Sequence, residues 1–312
     1  MSERKSLRVA YGEALAKYGA EDGRVVVLDA DLAHATMTSM FAEKFPERFY
    51  NYGIAEANMV CAAAGFAHTG FIPFVSTFAI FGAGRAFEQI RNSVCYTKAN
   101  VKFGFSHSGL SVGEDGGSHQ AIEDVALMRA LPDMTVFVPC DPIETEKAVA
   151  AAIAIDGPVY IRVARPVCDC VTKPEDPFTP GKANILREGS DVSIFATGLM
   201  VAPALRAADQ LAEKGVSAAV VNFHTIKPFD AETALQMAAR TGAVVSVEEH
   251  SVIGGLGSAM SEALLGKTNA KFATIGINDI FGKSGTPDSL FEAYGLTDRN
   301  IAEKCAVLVR GK

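Results

Sequence analysis

Long hydrophobic runs are missing from this sequence: the longest, Met59 to Ala67, is nine residues and is interrupted by Gly65. A bilayer-crossing helix needs about twenty apolar residues, so no membrane span is expected. The amino-terminal stretch MSERKSLRVAYGEALAKYGA has early charges but no apolar segment behind them. It predicts an amphipathic helix rather than a secretory signal, and a cytoplasmic protein. Clustered cations are missing as well, and the formal net charge is −7. Binding along a phosphate backbone requires such clusters, which excludes a nucleic-acid partner. The six cysteines are scattered, with no paired CxxC units and no histidine at metal-ligand spacing, so neither a zinc site nor a disulfide framework is expected. Cys168 and Cys170 read as reduced, unpaired thiols.

What is present is a globular composition, 49% hydrophobic and 21% charged over 312 residues, enough for two ordinary α/β domains. Short β-rich runs alternate with helix-sized segments, the pattern of parallel sheets covered by helices. In the first half the strand candidates are 25–28, 72–75, 101–105, 135–138 and 158–161, with helices over 56–68 and 121–130. From 166 to 180 the pattern lapses into four prolines and mixed charge, a composition that favours extended, poorly packed chain. Strand candidates resume at 192–196, 218–221, 244–247 and 272–275. The expected fold is α/β, two domains, each a mainly parallel β-sheet flanked by helices: residues 1–165, a linker over 166–180, and residues 181–312.

Three polar clusters stand out, and those at 107–120 and 76–85 begin where strands end, which is where parallel sheets bind ligands. The densest is HSGLSVGEDGGSHQ at 107–120, holding His107, Glu114, Asp115, His119 and four glycines. The second, YGIAEANM at 52–59, places Glu56 at the start of an apolar helix, where a carboxylate is also favoured simply by the helix dipole. The third, STFAIFGAGR at 76–85, sets Phe78 and Phe81 three residues apart, ordinarily a core pattern.

In that order and spacing these clusters resemble the pyrimidine-binding domain of the transketolases. The likeness continues through LPDM at 131–134 and PCDP at 139–142 into EEHSVIGGLGS at 248–258, nearly the whole chain. The resemblance implies a thiamine-diphosphate enzyme moving a two-carbon ketol unit from a ketose phosphate to an aldose phosphate, as in pentose-phosphate metabolism. Such chemistry needs the cofactor's thiazolium carbon deprotonated. By resemblance, Glu56 hydrogen-bonds the aminopyrimidine ring to prompt that step, Phe78 and Phe81 wall the ring, and Asp31 lies near the thiazolium. His107, Asp115 and His119 face the sugar, while Arg165 and Arg8 hold its phosphate.

Departures accompany the likeness. Ala35 stands where the family usually has a phosphate-binding serine, with His34 beside it, and Gly84 stands where a tyrosine usually follows Phe81. The family's Gly-Asp-Gly turn for diphosphate and Mg²⁺ is missing altogether, which implies a separate amino-terminal subunit bearing those ligands and an α2β2 assembly. Gly276 to Ser284 has one residue too many between its glycines for a phosphate loop, and Gly255-Leu256-Gly257 lacks the third glycine of a dinucleotide turn. Three rival readings stay open: a 1-deoxyxylulose-phosphate synthase-like subunit, a 2-oxoacid dehydrogenase β subunit, and a non-catalytic partner subunit.

Overall fold

The computed structural model describes residues 4–310; the first three and last two residues of the expected domains lie outside these. In chain order the strands are β1 Lys5–Ser6, β2 Val25–Asp29, β3 Phe49–Asn51, β4 Ile72–Ser76, β5 Lys102–Phe105, β6 Thr135–Phe137, β7 Val159–Arg162, β8 Val167–Cys168, β9 Asn184–Arg187, β10 Val192–Ala196, β11 Ala218–Asn222, β12 Thr225–Lys227, β13 Ala243–Ser251 and β14 Lys271–Ile277. One sheet has seven strands ordered β12-β6-β7-β5-β4-β2-β3, and a second has five ordered β14-β13-β10-β11-β9. All pairings in the large sheet are parallel except β12 with β6. In the smaller sheet only the edge strand β9 is antiparallel. The two-domain, mainly parallel α/β fold is therefore present, with an antiparallel edge on each sheet.

Strands covered by helices on both faces must be apolar throughout. β2, β4, β10 and β11 are buried at every residue. The helix Glu56–His68 packs Met59, Val60, Ala63 and Ala64 onto the large sheet while turning Asn58, Cys61 and His68 outward. Because β2, β3, β4 and β5 run the same way, the chain leaves all four at one edge. Asp31, Gly53, Phe78 and His107 follow those strand ends.

Two features differ from the sequence reading. The segment 166–180 is anchored rather than loose: β8 pairs antiparallel with β1, and the buried Asp141 carboxylate accepts the Val171 N–H at 2.8 Å, the Thr172 N–H at 2.7 Å and the Thr172 hydroxyl at 2.9 Å. Prolines forbid interior ladder positions but not side-chain anchoring or edge pairing. β12, from beyond residue 181, joins the edge of the first sheet through Thr225 and Lys227, and Ile226 is buried there. Three residues are too few to show a strand period.

Candidate active site

Phe78 leaves β4 and bridges to Ser106 at the end of β5, after which Ile80–Arg85 winds as a π-helix. Such widened turns recur at functional sites. This one sets the Phe78 and Phe81 rings nearly parallel, 5.7 Å apart between centroids with 19° between planes. His107 stacks on Phe78 at 3.8 Å. His119 meets Phe81 edge-on at 5.3 Å and Phe78 at 6.3 Å. The loop 107–120 thus folds both histidines back onto the aromatic pair.

His107 is almost wholly buried and holds a left-handed backbone at φ 56°, a strain that favours residues kept for function. Its Nδ1 lies 2.9 Å from the Ser106 hydroxyl. Burial, then the guanidinium groups of Arg8 and Arg165, then His119 push its pKa down to about 3. The ring is accordingly neutral at physiological pH, suited to hydrogen bonding rather than charge pairing.

Glu56 opens its helix as a buried carboxylate and accepts a hydrogen bond from Arg85 Nη1 at 3.1 Å. Arg85 also lies over the Phe81 ring at 4.1 Å, joining the carboxylate to the aromatic cluster. The residue stood inside a recognised motif, yet no property of its position in the sequence marked it.

The two arginines are held unequally. Arg8 Nη1 donates to the Ala35 carbonyl at 3.0 Å, so the position lacking the serine hydroxyl still contacts Arg8 through its backbone. The Arg8 Nε is buried without a partner. Burial and the neighbouring Arg165 lower the Arg8 pKa. Arg165 donates to the Val112 carbonyl and reaches Glu114 at 3.5 Å. Two guanidiniums close enough to perturb each other, one with an orphaned N–H, make an anion-favouring corner.

Asp31 and Asp115 stand apart from the ring cluster. Asp31 is exposed with φ 64° and exchanges hydrogen bonds with the Asn51 amide at 3.1 and 3.2 Å. Its neighbour Asp29, which sequence reasoning passed over, does the structural work: fully buried, it accepts from the Leu32 N–H and the Thr36 and Thr38 hydroxyls, and burial raises its pKa. Asp115 is exposed at the tip of its loop, and His34 is also exposed.

The two look-alike motifs have structural explanations. Glu248 accepts the Leu256 and Gly257 N–H groups at 2.7 and 2.8 Å, so the start of helix Leu256–Leu264 is satisfied by the chain's own carboxylate. Gly276 lies within β14, and the residues after it pack against the loop that carries His119. Among the described residues no group of three or more His, Cys, Asp or Glu side chains could hold a metal ion, and no helix is long and apolar enough to cross a membrane.

An α/β protein with an aromatic cradle, a helix-start carboxylate and two loop histidines at one sheet edge is the class that fold and site define. Two family models match the chain: the transketolase pyrimidine-binding domain over residues 3–168 and the transketolase C-terminal domain over residues 181–301. A putative transketolase C-terminal section from Methanocaldococcus jannaschii is 47% identical over 96% of this chain and 95% of its own length. A 6-deoxy-6-sulfo-D-fructose transketolase subunit, SqwH, from a Clostridium species is 45% identical over 95% of this chain and 92% of its own. A solved structure described as a split gene transketolase, inactive β4 tetramer, matches at 49% identity and TM-score 0.89, covering 98% of both chains. The chain belongs to the transketolase family.

Proposed function

We propose that this chain is the carboxyl-terminal subunit of a two-chain transketolase, transferring a two-carbon ketol unit between sugar phosphates with thiamine diphosphate. The observation that carries the reading is the Phe78–Phe81 cradle with Glu56 at its side, His107 stacked on Phe78 and His119 edge-on to Phe81. A flat aminopyrimidine fits that donor and ring set, with Phe78 and Phe81 as its wall and the Glu56 carboxyl hydrogen-bonded to its ring nitrogen, which favours the imino tautomer. When bound, the cofactor supplies the carbon nucleophile. His107 and His119 then hold sugar hydroxyls, with Asp115 at the loop tip, and Arg8 and Arg165 hold the anionic end. Asp31 is assigned to the thiazolium side.

The family's Gly-Asp-Gly turn is missing from the sequence, and Mg²⁺ with the diphosphate is assigned to an amino-terminal subunit, giving a cytoplasmic α2β2 enzyme in pentose-phosphate metabolism. Ile54, 77% exposed only two residues before the buried Glu56, supports an interface beside the site, because a large apolar group left in water there is one a partner would cover. The relatives described as a "C-terminal section" and a "split gene" transketolase support this reading. The test is reconstitution: ketol transfer measured for this chain alone, for an amino-terminal partner alone, and for the two mixed with thiamine diphosphate and Mg²⁺. Turnover only in the mixture is expected; turnover by the single chain would refute the assignment.

The anionic tail admits a second reading. One relative's name specifies a sulfonated ketose, and a sulfonate shares the tetrahedral oxygen array of a phosphate. Comparing fructose 6-phosphate with its 6-deoxy-6-sulfo counterpart as donor decides between them.

A further inference from the structure

The loop bearing His107 and His119 belongs to the first domain, yet it is held from behind by the second. The Ser111 N–H, midway along the loop, donates to Glu249 Oε1 at 2.6 Å in a buried setting. Glu249 is a buried residue of β13. Gly109, with φ 77°, leaves the room this requires: a Cβ there would lie 2.3 Å from Glu249 Oε1. The loop's far end is tied to the same domain, where Gln120 Nε2 donates to the Lys283 carbonyl at 2.9 Å while also holding the Leu110 carbonyl within the loop at 3.1 Å.

The surroundings of Glu249 are charged but already committed. Arg162 forks onto Asp124 at 2.7 and 3.1 Å, Tyr160 donates to Asp124 at 2.5 Å, and Arg162 also donates to the Ala121 and Glu249 backbone carbonyls at 3.2 and 3.1 Å, its charge partly offsetting the burial that pushes the Glu249 carboxyl up to about 7. Glu248 caps its own helix, and His250 Nε2 accepts the Ala126 N–H at 3.3 Å. The Glu249 carboxylate therefore has the Ser111 N–H as its hydrogen-bonded loop partner.

We propose that Glu249 is a positioning residue: by its reach to Ser111 it fixes the 107–120 loop and keeps His107 pressed on Phe78, so that the carboxyl-terminal domain sets the geometry of the sugar-facing histidines. The catalytic meaning of this rests on the reading of His107 and His119 given above, but the positioning itself does not. What matters is the length of the arm and an acceptor oxygen at its end.

Titration of the histidine rings in the full chain tests this without substrate or cofactor. His107 is ringed by Arg8, Arg165 and His119 and is shielded by burial. His224, also buried and pushed down to about 4, stacks on Phe178 at 4.1 Å elsewhere in the molecule and serves as the internal control. With ¹³C-labelled histidine, E249D withdraws the carboxylate by one methylene, and the His107 pKa is expected to rise by roughly one to two units as water enters. E249Q keeps the reach and an acceptor oxygen, and His107 should stay near its wild-type value. An unmoved His107 in E249D overturns the proposal. So does a matching shift of His224, which would mean general loosening, or an equal shift in E249Q, which would give the effect to lost charge. Failure here leaves the transketolase reading standing, and absent ketol transfer in the assembled enzyme leaves this result standing.

Discussion

Replacing Glu56 with glutamine separates chemistry from folding, because the structure sets the two effects on different scales. The carboxylate is 5% exposed but its ion-pair partner Arg85 has a side chain 53% exposed, so their 3.1 Å contact resembles a surface pair, worth about 0–1 kcal/mol. A glutamine has nearly the same shape and can still accept from Arg85. Folding stability should therefore change by under about 1 kcal/mol, a shift of only a few degrees in melting temperature. Turnover is another matter. A lost acid/base partner typically lowers rate by 10²–10⁴, roughly 3–5 kcal/mol of barrier. The decisive assay is deuterium exchange at the thiazolium carbon of cofactor added to the assembled enzyme, since it reads proton loss before any sugar binds. Exchange in the Gln variant as fast as in wild type would refute the reasoning and return Glu56 to a helix-start charge.

Arg165→Ala should raise KM for phosphorylated ketoses far more than for unphosphorylated donors such as erythrulose; equal losses on both would remove the arginine from anion recognition. Gly82→Ala would place a Cβ 2.3 Å from the Phe105 ring, and an overpacked core of this kind should cost about 1–3 kcal/mol in thermal or urea unfolding. Burial lifts the Glu144 pKa to about 7 from its ordinary value of 4.5. A raised carboxylate pKa stabilises the protonated native form, so this contribution is present below pH 4.5 and is lost as pH rises through 7. E144Q, free of that loss, should gain on wild type by on the order of a few kcal/mol across that window; a stability difference that stays flat with pH would contradict the assignment.

The layers of the fold were legible because parallel strands are apolar on both faces, and runs such as Val25–Asp29 and Val192–Ala196 announce that burial directly. The helix Glu56–His68 was readable for the complementary reason, since its small apolar residues repeat at helical spacing above a charged start. Short pieces were not legible. β1, β8 and β12 span two or three residues, fewer than any period needs, and exist through pairing partners distant in sequence. The site divides along the same line. Phe78, Phe81, His107 and His119 sit in motifs that follow the adjacent strands β4 and β5, and the structure brings their rings together.

Arg85 and Glu249 act on that site across 29 and 138 residues of sequence, through hydrogen bonds no local pattern encodes. Glu249 is the sharpest case, because the contact it makes with Ser111 spans 138 residues and two domains. Its motif was visible, but its partner was not. That division follows from what each group requires: the stacked rings sit in recognisable motifs at the ends of the adjacent strands β4 and β5, whereas a positioning carboxylate needs only a buried N–H within reach. If the loop histidines are set from the second domain, a subunit carrying the pyrimidine domain alone would present Phe78 and Glu56 but not a fixed His107. The covalent linkage of the two domains in this chain then has a chemical reason as well as an architectural one.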